Sequence, residues 1–283
     1  AEHWPEAAAA SRRAAAAASR AGRLVEWESL LLRAAAAHRA AGEVDAALDD
    51  TIDALTARSL RSGPASVAPE LARLLEEGHP GEPRARLLML QGTLAFNQMR
   101  YADVMRLADG ALDQAADGSR TQQQARLLHG RAAAMSGRHA QALVSLEQAC
   151  DAAQTLGEPD AQLEALGTLA HALHAARRRA DAIVRQRQAL QLARRHSGRF
   201  HQAECAANLA VVLLSAGEVE TALAAADEAL SGFGVMGIAD APSAVMALSV
   251  RSRCWAHQGR LAQAVSAMAP VAVPGSGGLA GVM

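Results

Sequence analysis

The sequence predicts an all-α protein built as a stack of antiparallel helix pairs. About a quarter of its 283 residues are alanine, the residue that loses least on entering a helix. Val, Ile, Thr, Tyr and Phe are sparse, and no alternating run is long enough to read as a strand. Most informative, the chain resembles itself at a spacing of about 40 residues, the signature of repeated units that bury one another's apolar faces.

The N-terminal elements follow a loose rhythm. An Ala-rich helix starts after His3-Trp4-Pro5 and runs to about Ala21, Gly22 breaks it, and a second helix spans Leu24 to Ala41, ahead of Gly42. These helices and a first degenerate repeat occupy residues 1–61. Ser62-Gly63-Pro64 and Gly78-His79-Pro80-Gly81 are loop signals on either side of a short helix, Ser66 to Glu77. Residues 62–84 therefore read as an irregular linker, where the stack is expected to bend. Regular repeats are expected over 85–269. Residues 270–283, rich in Gly and Pro, have no helical periodicity and read as a flexible tail.

The clearest repeats run from Ala125 to Ala142, from Leu169 to Ala182, from Asn208 to Ala222 and from Arg253 to Ala264. In each, one helix ends and a second begins within about two residues, so the pair must fold back on itself. Gly42, Gly137, Gly217 and Gly259 mark the turn, where a positive φ strains any other residue by about 1 kcal/mol or more. In one unit Arg177 takes that place. Five residues on comes Ala47, Ala142, Ala182, Ala222 or Ala264, where a larger side chain would push the helices apart.

Gly130, Gly137, Ala142, Leu146 and Ala149 resemble the pattern of the tetratricopeptide repeat (TPR). The resemblance covers roughly residues 24 to 268 and implies a right-handed α-solenoid whose first helices line a concave groove. The period is longer than that family's usual one, and its Tyr, Trp and closing Pro positions are mostly absent here. Carried over by position, the groove is expected to be lined by Gln124, Leu127, Arg131, Glu164, His171, His174, Glu204, Asn208, Arg253 and His257.

Charge and motifs narrow the function. A net charge of -1 gives no global field toward nucleic acid or an anionic membrane. There is no lysine, which points to a GC-rich coding bias and rules out a phosphate loop ending in Gly-Lys. No His-Glu-x-x-His, Gly-x-Ser-x-Gly or Cys-x-x-Cys is present, so neither an enzyme nor a cofactor is expected. Cys150, Cys205 and Cys254 are odd in number and far apart, which fits packing thiols in a reducing cytoplasm. His171 and His174 lie three apart on one helix face and could share a metal if His201 approached. Trp4, Trp27 and Trp255 read as packing anchors. An arginine cluster from Arg177 to Arg199 reads as an exposed helix face with too few aromatic neighbours for nucleic acid.

The Ala-rich, Lys-free repeats behind a Glu2-His3-Trp4 opening are similar to the repeat arms of large bacterial signal-transduction ATPases, including LuxR-type and antibiotic-regulator-type transcriptional activators. That resemblance implies a non-catalytic protein-interaction and sensing arm in a bacterial cytoplasmic regulator, with a protein, a peptide or a small inducer as partner. A chain that opens at Ala1 and closes in a Gly-rich tail is expected to be a segment of something longer. A stand-alone adaptor that clamps a peptide tail is the alternative, although of a Lys/Asn carboxylate clamp only Asn208 is suitably placed. A small-ligand or metal sensor using the His-lined groove is the second.

Overall fold

Alanine sets the interhelical spacing. In the computed structural model, which describes residues 3–268, most of the fully buried positions are Ala, and the large buried side chains are chiefly Leu. Each methyl buries little apolar surface, so stability comes from many close contacts rather than a few large anchors. Among the described residues there are fourteen α-helices and no strand. The expected tail, 270–283, lies outside the described residues.

The chain divides into two compact units, Ala1–Gln148 and Ala149–Met283. The first holds α1 (Trp4–Arg20), α2 (Leu24–Ala41), α3 (Val44–Ser62), α4 (Ala68–Glu76), α5 (Glu82–Asn97), α6 (Tyr101–Leu112), α7 (Arg120–Met135) and most of α8 (His139–Leu156). Successive helices pack as neighbours: α1 on α2, α2 on α3, α5 on α6 and α6 on α7. Between α3 and α5 the order is broken by a 3-10 turn, Pro64–Ser66, and the short α4, which begins two residues later than the sequence suggests. Leu71 and Leu74 of α4 close over a core of Leu48, Ile52, Leu55 and Leu87.

The second unit holds the end of α8 and α9 (Pro159–Ala175), α10 (Arg179–His196), α11 (Arg199–Ser215), α12 (Val219–Val235), α13 (Pro242–His257) and α14 (Leu261–Met268). Here the pairs follow one another regularly, α9 with α10, α11 with α12, α13 with α14, and α11 also packs on α13.

The turns show why the repeat has its pattern. Gly42, Gly137, Gly217 and Gly259 all have φ between 75° and 85°, and Arg177 takes φ 64° at the equivalent place. Met99 does the same at φ 59° between α5 and α6, marking a helix pair whose turn the glycine pattern does not reveal. Ala47, Ala142, Ala182, Ala222 and Ala264 are all buried. At Gly130 a Cβ would lie 2.5 Å from Leu146 Cγ and 3.3 Å from the Ala142 carbonyl oxygen, so α7 and α8 meet there with no space for a methyl group.

Candidate functional site

The expected groove residues fall on four first helices, and the two units treat them differently. In the first unit all three lie on α7. Gln124 is exposed, while Leu127 is buried and belongs to the packing, because the apolar stripe of α7 is wide enough to take Leu127 and Leu128 together. Arg131 is half-buried with its guanidinium 4.9 Å from the centre of the Phe96 ring, a cation–π contact.

In the second unit the geometry brings four of the expected residues together. His171 and His174 project from α9, Glu204 and Asn208 from α11. His171 is hydrogen-bonded to Asn208 and feels the charge of both His174 and Glu204. Its side chain is exposed, yet desolvation by the surrounding helices is the largest influence on it. That desolvation holds the imidazole below the usual histidine range against the opposing Asn208 bond; His174 adds to the lowering and Glu204 opposes it.

His174 is oriented by Ser215, whose Oγ lies 3.2 Å from His174 Nδ1 and 2.7 Å from the Val212 carbonyl. With the hydroxyl proton given to the carbonyl, Ser215 Oγ is left to accept from His174 Nδ1–H. Glu164, on α9, is exposed. Arg253 and His257 are exposed on α13, and Cys254 between them is buried.

The face thus offers two imidazoles, an amide and a carboxylate, able to donate and accept around a polypeptide backbone. Among the described residues no group of three or more His, Cys, Asp or Glu side chains could hold a metal, and His201 stands exposed against Phe200 at 5.7 Å between ring centres. The cysteines are buried, and burial pushes the Cys205 thiol up to about 12, with the Glu204 charge adding to it, so this sulfur stays an unreactive packing group. Among the described residues no helix is long and apolar enough to cross a membrane. Trp255 carries Arg251 and Arg260 on its ring at 4.9 and 5.3 Å, whereas Trp4, 45% exposed, anchors no core.

Comparison with known proteins shows the fold. RapI in its apo form superposes with a TM-score of 0.73 at 11% identity, over 92% of this chain and 74% of that one. The nearly identical TPR-like repeats of a kinesin light chain from Podosopora anserina give 0.59 at 15% identity, over 66% and 92%. NprR in complex with its cognate peptide NprX gives 0.55 at 12% identity, over 88% and 77%. The chain therefore has a TPR-like helical repeat fold. No family model matches the sequence, and no curated protein does.

Proposed function

We propose that the chain is a non-catalytic interaction and sensing scaffold that takes a peptide or a protein segment onto the α9–α11 face, as the TPR arm of a larger bacterial cytoplasmic signalling or transcriptional regulator. The observation that carries the reading is the His171–Asn208–Glu204–His174 cluster: hydrogen-bonding groups gathered from α9 and α11 of the second unit. NprR, of similar fold, is a peptide complex in its own structure, which favours a peptide over a metal or a cofactor as the occupant. A metal sensor has no support, because the two histidines lack a third donor among the described residues.

The test is titration of the full chain with arrays of fluorescent octapeptides, followed by anisotropy. At least one class of peptide is expected to saturate, and Asn208→Ala to weaken it by about tenfold or more. No saturable peptide, or binding indifferent to both His171→Ala and Asn208→Ala, removes the reading.

A further inference from the structure

The second unit carries a different cleft, of about 250 Å³, where the end of α8 and the first half of α9 meet α10. Its polar lining is unusual in kind. Gln154 comes from α8, Gln162 from α9, and Gln188 and Gln191 from α10, with Arg185 and Arg195 toward the two ends of the α10 stretch. A glutamine amide both donates and accepts, which is what an unpaired polypeptide backbone needs on each side. Leu166 and Leu192 supply apolar surface between the amides.

The two arginines differ from three others nearby in the chain. Arg178 pairs with Asp181, Arg187 with Glu218 and Arg194 with Glu228. Arg185 meets only the Gln188 amide oxygen, at 3.3 Å, and among the described residues neither Arg185 nor Arg195 has a carboxylate within ion-pair distance. The lining contains a single acid, Asp151. The cleft is therefore cationic at two points.

Those points are separated by a helical rise of about 15 Å, the length of roughly four to five residues of extended chain at about 3.3 Å each. Extended side chains alternate between faces, so two acids that both face α10 must be an even number of residues apart. We infer that the α8–α10 cleft is a second binding site, for an extended acidic peptide segment whose two carboxylates stand four residues apart, one on Arg185 and one on Arg195. Glutamine amides hold the backbone between them. This site is independent of the α9–α11 face.

The experiment uses the full chain and fluorescent peptides in a Thr/Val background with two glutamates four residues apart, the same peptide with the glutamates two apart, and a version with glutamine in both places. The four-apart peptide is expected to bind saturably, to weaken as salt rises, and to lose about tenfold in affinity in the glutamine version and in each of Arg185→Gln and Arg195→Gln. Asn208→Ala should leave it unchanged. Circular dichroism of the variants checks that they remain helical. Absence of saturable binding overturns the inference, as do equal binding of the spacing-shifted or glutamine peptides, loss of binding in Asn208→Ala, or tighter binding of an oligothymidylate than of the peptide.

Discussion

The two units differ in how deeply their charged side chains are buried. In the first, charged side chains tie distant helices together. Arg58 and Arg61 of α3 hold the nearly buried Glu28 of α2 at 2.7 and 2.9 Å, and Arg58 also reaches Glu70 of α4 at 2.8 Å. Arg86 of α5 is paired with Asp49 and Asp53 of α3. Arg12 of α1 lies 2.9 Å from the fully buried Asp50, which His38 approaches at 3.6 Å. In the second unit the ion pairs among the described residues, such as Arg194–Glu228 and Arg251–Asp227, each keep at least one partner well exposed, and hydrogen-bonding groups gather on α9 and α11. Where the repeat is irregular, charge supplements packing; where alanine packing is regular, polar side chains are not needed to hold the helices together.

The largest expected effect breaks the first half of that contrast. Removing one partner of a buried pair strands the others, so Glu28→Ala should cost about 3 kcal/mol in denaturant unfolding. Burial pushes Glu28 up, but hydrogen bonds and charge from Arg58 and Arg61 outweigh it and hold the carboxyl below its ordinary value. Its contribution is thus present above the ordinary carboxylate range and lost as pH falls through the lowered folded value, so the deficit of Glu28→Ala should shrink in acid. Asp50 acts in the opposite sense: burial raises its pKa despite Arg12 and His38. The folded state then keeps that proton to higher pH than the unfolded state, and stability falls as pH rises through the interval between the two values.

Close packing gives the next effect. Gly130→Ala places a methyl against Leu146 and should lower stability by about 1–3 kcal/mol. Gly167, mid-helix in α9 with nothing within 4 Å of an added Cβ, should instead gain about 0.5–1 kcal/mol as Ala. A thermal melt of each separates steric need from helix propensity. Smaller still, the lowered pKa of His171 means that the unfolded chain takes up the proton first as pH falls through the ordinary histidine range. Stability should therefore decline there, and His171→Asn should flatten that part of the profile. Arg194→Ala, which breaks an exposed pair, should change stability by about 0–1 kcal/mol.

The helices, their turns and the small-residue contacts were legible in the sequence because each is enforced locally. Glycine supplies the positive φ, and alanine the close approach five residues later. Arg177 was found through the repeat's spacing, but Met99 was not, because nothing in a lone methionine marks a left-handed turn. The ion-pair wiring was invisible: Glu28 and Arg58 are 30 residues apart, and only the fold brings them together. The spacing placed His171 and His174 on one helix face and Glu204 and Asn208 on another, and side-chain contacts between α9 and α11 bring them near one another. The spacing did not reveal that Leu127 is buried, because a leucine beside another leucine reads alike on a lining face and in the core. The glutamine-lined cleft was missed because glutamines on three helices carry no motif, and the arginines of α10 read simply as an exposed helix face.

The central claim is that the α9–α11 polar groups serve a ligand rather than the fold, and the double variant His171→Ala/Asn208→Ala tests it most directly. Denaturant unfolding of that chain should match the parent within about 0.5 kcal/mol, while its best octapeptide binds at least about tenfold more weakly. A stability loss of about 2 kcal/mol or more, with peptide affinity retained, would show these side chains to be structural and contradict the account.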